Sequence, residues 1–158
     1  MMNHQRAAQA MTADCLCFRA RRVSRAITRM YDDALRPLSI QATQLTLLNA
    51  VAMHGERGAT MARLAEILAM DATTLSRALK PLETAGLLQM LRLETDRRVR
   101  LALLTEAGGR CVDSALPLWT QAHARVVAAL GDEAALDLRD RFDHVSAAAA
   151  RAVSAAAP

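Results

Sequence analysis

At 158 residues the chain is long enough for one domain, or for a small domain with helical extensions. It is 53% hydrophobic but only 3% aromatic, a mixture that favours helices, and without a run of about 18 uncharged apolar residues it excludes a membrane span. The formal net charge is +4, and the amino-terminal stretch lacks a continuous apolar core ahead of a cleavage site, so no secretory signal is expected and a cytoplasmic location is.

Residues 14–36 read as one long helix, because Leu16, Ala20, Val23, Ile27, Met30 and Ala34 form an apolar stripe at spacings of 3 and 4. Pro37 ends it. Within such a helix Cys15 and Cys17 point to opposite faces and cannot bridge, and with Cys111 they make an odd count, which is no disulfide framework. No His lies near them, and His4, His54, His123 and His144 are scattered without ligand spacing, so no metal or other cofactor is expected. A second helix runs over 41–53 and closes at His54-Gly55.

Thr60 opens the next helix, TMARLAEILAM, with Leu64, Ile67 and Leu68 as its buried face. Asp71 is an N-cap for ATTLSRALKPLETA, whose Leu75, Leu79 and Leu82 face inward and whose end is a left-handed Gly86. Two short helices with a tight break between them are a helix-turn-helix. Leu87–Leu93 and Val99–Leu104 alternate as two strands, joined by an acidic lip ending in Asp96 and by Arg97, Arg98 and Arg100. Thr105 caps a helix that breaks at Gly131 and is locally imperfect at Gly108, Gly109 and Pro117. Asp132 caps a last one to about Val153, with Leu136, Leu138, Phe142 and Val145 apolar.

The fold class that results is mainly α with a small β-hairpin wing. A winged helix-turn-helix domain, 38–105, is flanked by long dimerisation helices, 1–37 and 106–158. The apolar stripes of the flanking helices exceed what a domain of roughly 50 residues covers, and a second copy of the chain is the simplest cover.

Charge is uneven: residues 1–36 hold 7 basic and 3 acidic groups, whereas residues 101–158 hold 5 and 7. Of the 20 basic residues only Lys80 is lysine, and arginine's planar fork suits phosphates and guanine edges. With the leucines of the second short helix buried, Thr73, Thr74, Ser76, Arg77 and Lys80 fall on its flanks and open face, placed for phosphates and base edges. A hairpin directly after that helix lies along a duplex beside it, and its arginines suit a narrow A·T-rich minor groove. Asp96 is expected to pair with Arg98 and hold the tip in shape.

The run DATTLSRALKPLETAGLLQMLRLETDRRVRLALLTEAG resembles the signature region of the MarR family of winged-helix repressors. Asp96, Arg98, Leu101, Leu104, Thr105 and Gly108 carry the D-x-R wing and the L-x-x-L-T-x-x-G that follows. Thr74, Leu75, Ser76, Arg77, Leu79, Leu82, Glu83, Gly86 and Leu87 carry the segment before it. The resemblance implies a homodimer on a pseudo-palindromic double-stranded operator, with Arg98 in the minor groove and the helix after Asp71 in the major groove. It also implies a small aromatic or phenolic effector, for which Phe18, Leu45, Leu48 and Met53 offer apolar positions and Arg21 or Arg25 a cation. Leu16-Cys17-Phe18 with Tyr31 resembles the organic-hydroperoxide-sensing branch of the family, although Arg21 and Ala42 stand where that branch has its other tyrosines. A peroxide sensor acting through Cys17 is therefore one alternative reading, and a winged-helix module that docks on protein instead of DNA is another. No acid–base pair, activated nucleophile or metal cluster converges, so an enzyme is not expected.

Overall fold

The computed structural model describes residues 3–93, 95–96 and 98–155. Among these residues run seven α-helices and a three-stranded antiparallel sheet, in the order α1 (Asn3–Asp14), α2 (Leu16–Leu35), α3 (Ala42–Ala52), β1 (Ala59–Thr60), α4 (Met61–Leu68), α5 (Ala72–Thr84), β2 (Leu88–Arg92), β3 (Arg100–Leu104), α6 (Glu106–Leu130) and α7 (Asp132–Ala155). Helices dominate and the hairpin is present, as the fold class anticipates. The chain forms two compact units, Met1–Thr120 and Gln121–Pro158.

The long amino-terminal helix expected over 14–36 runs from Leu16 to Leu35, and a helix that was not expected, α1, precedes it. Cys15 is extended (φ −72°, ψ 109°) and its Sγ accepts the Phe18 amide hydrogen at 3.3 Å, so it caps α2 rather than lying within it. Arg19 reaches back to the carbonyl of Ala13 at 2.6 Å, satisfying an acceptor that the end of α1 leaves open. One residue leaving helical ψ does not alter apolar spacing, which is why the break escapes a periodicity argument. At the other end Leu35 is fully buried and Pro37 is the middle residue of a 3₁₀ turn, Arg36–Leu38, that Ser39 closes at φ 53°. Asp32 accepts the Ala42 amide hydrogen at 2.7 Å and so ties α2 to the start of α3.

The main core joins Leu47, Leu48 and Val51 of α3 to Leu64 of α4, to Leu75, Leu79 and Leu82 of α5, and to Leu88, Ala59 and Ala102 of the sheet. Leu35, Ile40, Leu45 and Ala115 form a second cluster between α2, α3 and α6. Strand order is β1-β3-β2: Leu88 pairs with Leu104 and Arg92 with Arg100, while Ala59 pairs with Ala102 on the other edge of β3. At two residues, β1 is too short to show alternation and was not anticipated. Ile67, expected inside, is 38% exposed. Helix α4 has only eight residues, and its left-handed end at Ala69 (φ 51°) turns the chain into α5 after one buried leucine, Leu64.

Helix α6 is unbroken from Glu106 to Leu130, over both glycines and Pro117. In the second unit Gly131 (φ +85°) makes the break, and its carbonyl accepts the Ala135 amide hydrogen at 3.0 Å. Gly131 therefore occupies the place expected of Asp132. Asp132 and Glu133 lie in the first turn of α7, where negative charge suits the helix dipole. On α7, Leu136, Phe142 and Val145 are exposed.

Candidate nucleic-acid interface

The open face of α5 is set from its first residue. Asp71 is extended, and its carboxylate accepts from the Thr74 hydroxyl at 2.6 Å and from the Thr74 amide at 2.8 Å. Those two bonds, the hydroxyl's first, hold its carboxyl below the usual value. The Thr74 hydroxyl hydrogen is thereby committed to the cap, and only its oxygen lone pairs face outward. With Leu75, Leu79 and Leu82 at 2% exposure or less, Thr73, Ser76, Arg77 and Lys80 project outward and are exposed. Lys80 pairs with Glu83 at 2.9 Å along the helix, a surface pair of small energetic weight.

Pro81 was not singled out from the sequence. It lies inside α5 and has no N–H to give the carbonyl of Arg77, and it lines a shallow open depression with Arg77, Lys80, Thr84 and Ala85. At the end of α5, Gly86 (φ +69°) donates to the carbonyl of Glu83 and Leu87 to that of Leu82, each at 3.0 Å, which is a Schellman termination.

The wing carries the remaining cations. Asp96 accepts the backbone amide hydrogen of Arg98 at 2.9 Å, and its own carbonyl accepts that of Val99 at 2.9 Å. Asp96 thus pairs with Arg98, through the backbone amide. A two-atom carboxylate arm reaches the chain two residues on more readily than it reaches a guanidinium, and the Arg98 side chain is exposed. Arg97 lies outside the described residues. Arg100, the first residue of β3, opens onto the same small recess of about 110 Å³ as Ser76, Lys80 and Glu83 of α5. The base of the wing and the middle of α5 thus border one recess, where Arg100 and Lys80 stand with the Glu83 carboxylate that pairs with Lys80.

The six residues expected around an effector do not come together. Leu48 is fully buried in the main core and Leu45 is 5% exposed in the second, whereas Met53 is 78% exposed at the end of α3. Arg22 stacks over the Phe18 ring at 5.8 Å, Arg21 is exposed, and Arg25 lines an open groove along α2 with Arg19, Arg22 and Arg29. Helical spacing places Leu45 and Leu48 inward but does not distinguish a packed interior from a cavity wall. The recess nearest to the expectation, about 260 Å³ between α3 and α6, is lined by Leu45 together with Asn49, Val112, Asp113, Ala115, Leu116 and Trp119.

Cys17 is exposed. Tyr31 is partly buried, and desolvation raises its phenol pKa. Fourteen residues separate the two on α2, roughly 21 Å along the helix axis, so they do not meet within one chain. Cys111 packs against both cores, and burial raises its thiol pKa.

Residues 38–99 match the model of the MarR family. The chain is 33% identical over 103 residues to an organic hydroperoxide resistance transcriptional regulator of Bacillus subtilis, an alignment covering 65% of this chain and 69% of that protein. The crystal structure of the Mycobacterium tuberculosis transcriptional regulator MosR superposes with a TM-score of 0.72 at 30% identity, covering 88% of this chain and 98% of that one. A mutant MarR from Escherichia coli, complexed with operator DNA, gives a TM-score of 0.76 at 23% identity over 85% of this chain and 96% of that one, a likeness of fold. With its winged helix and these relatives, the chain belongs to the MarR family of winged-helix transcriptional regulators.

Proposed function

We propose that the chain is a sequence-specific repressor that binds a pseudo-palindromic operator as a homodimer and releases it in response to a small aromatic or phenolic effector. The observation that supports this reading is that Arg100 of the wing lines one recess with Ser76 and Lys80 of α5, while Arg77 and Arg98 are exposed nearby in the chain. On this reading Thr73, Thr74, Ser76, Arg77 and Lys80 meet the major groove, Arg98 enters the minor groove, Arg100 contacts the duplex beside it and Asp96 shapes the tip. MosR, at 29% identity, has been crystallised in complex with DNA. Residues 38–105 form the reading head; 1–37 and 106–158 supply the contact between copies.

Selection of bound duplexes from random sequence tests the reading, followed by titration of the selected site against salt. Binding through several phosphates weakens by roughly a thousandfold or more between 50 and 200 mM salt. Affinity that barely changes with salt, or no selected sequence, defeats the proposal.

A thiol-based response is the second reading, favoured by the exposure of Cys17 and by the hydroperoxide-resistance relative. Its tyrosine partner must come from the second copy, given the distance to Tyr31 within one chain. Cys17 is expected to react faster than a free thiol towards a thiol-selective reagent and, once oxidised by an organic hydroperoxide, to weaken operator binding. A rate equal to that of free cysteine removes this reading.

A further inference from the structure

The end of α5 and the start of α6 are fastened at two successive peptide groups, Gly86–Leu87 and Leu87–Leu88. The Leu87 carbonyl accepts the Thr105 amide hydrogen at 3.2 Å, and the Leu87 amide in turn donates to Leu82 in the last turn of α5. The Thr105 hydroxyl donates to the Gly86 carbonyl at 2.6 Å and accepts the Gly108 amide hydrogen at 3.0 Å, so one side chain caps α6 while holding the terminus of α5. Gly108 is buried, and a Cβ there would stand 1.9 Å from the Leu87 carbonyl oxygen. The first turn of α6 therefore lies flat on the Leu87 peptide. Gly109, the next residue, has nothing within 4 Å of such a Cβ. One helical turn further on, Cys111 packs with Leu87 against both core clusters.

We infer that Thr105 and Gly108 are positioning residues that lock the angle between the reading helix α5 and α6, and so fix the half-site separation that the protein accepts. This inference rests on the proposed dimeric DNA binding. In a symmetric pair, the two copies of α5 are held apart by whatever joins each to its dimerising helices. Successive helical turns of DNA lie about 34–36 Å apart over 10–10.5 base pairs, so one base pair more or less moves and rotates a half-site relative to its mate. A fixed angle turns that displacement into lost contacts; a loose one absorbs it. Leu82, Gly86, Leu87, Thr105 and Gly108 touch no base in this scheme and act only through the placement of α5.

The test is binding of the full chain to palindromic duplexes built on its selected site, with the half-site separation at its preferred value and one base pair shorter and longer. Wild type is expected to prefer one separation. Thr105→Val keeps the side-chain shape and removes both hydroxyl bonds. It is expected to lower the preferred-over-altered affinity ratio by about tenfold, the value of one to two such bonds, at an unchanged helical content, and Thr105→Ser is expected to restore the ratio. Gly108→Ala is expected to act like Thr105→Val, whereas Gly109→Ala leaves the ratio at the wild-type value and serves as the control for helix propensity. Should Thr105→Val fail to fold, the contrast between the two glycine variants decides. A ratio unchanged in Thr105→Val or Gly108→Ala, or affinity lost equally at every separation, overturns the latch while leaving the DNA-binding reading intact. A wild-type chain that binds no duplex overturns that reading first.

Discussion

The wing tip turns on how far a short side chain reaches. Asp96 spends a carboxylate oxygen on the amide of Arg98, so the same residue that bends the backbone leaves the guanidinium pointing outward. Here the Asp96-x-Arg98 spacing closes a turn. With Arg98 in the minor groove, Arg98→Ala is expected to weaken operator binding by about 1–3 kcal/mol, with the loss concentrated in sites whose flanks are A·T-rich. Anisotropy titration on A·T-rich and G·C-rich flanks measures it, and equal losses on both would make Arg98 an ordinary phosphate contact. The same limit of reach holds at Asp71, whose cap with Thr74 was readable from the sequence but whose claim on the Thr74 hydroxyl was not.

Among the elements, those set by many residues were the legible ones. Helix α5 announces itself by three leucines at helical spacing between a capping Asp and a left-handed Gly, and all three leucines are buried. Helix α4 has the same kind of pattern, yet only Leu64 reaches the core fully, because the tight turn at Ala69 sets its angle. Leu75→Ala is accordingly expected to destabilise the fold by about 2–5 kcal/mol. Ile67→Ala should cost well under half as much, in keeping with its exposure. Urea unfolding of both variants tests the contrast; similar costs would mean that Ile67 is covered in solution. The elements that were missed depend on few residues. Strand β1 exists because Ala59 and Thr60 meet β3 from a distance in sequence, and the start of α2 depends on one ψ angle at Cys15.

At the scale of the whole molecule, apolar faces of α2 and of α7 are left exposed by the single chain. Leu16, Val23 and Met30 on α2, and Leu136, Phe142 and Val145 on α7, are each 38% exposed or more, although they sit at the helical spacing of buried stripes. A second copy covering these faces is the reading proposed above. Phe142→Asp is then expected to shift the chain from dimer to monomer at micromolar concentration, since it places a charge in a desolvated contact. It should abolish operator binding while leaving helical content unchanged. Sedimentation measures the first effect, and a variant that stays dimeric would move the contact off α7.

The helix-turn-helix, the hairpin after it and the caps at Thr60 and Asp71 were determined by the sequence itself, because each follows from spacing and side-chain chemistry within about twenty residues. The signature from Asp71 to Gly108 was legible for the same reason. The tertiary structure decided what depends on partners distant in sequence. It buried Leu48 in the core and left Met53 in solvent, so that these two do not line one cavity within the chain. It brought Arg100 beside Lys80, and it seated Gly108 on the peptide of Leu87. Periodicity states which side of a helix faces inward; only packing states what it faces, because that is fixed by contacts between segments whose separation local propensity does not encode.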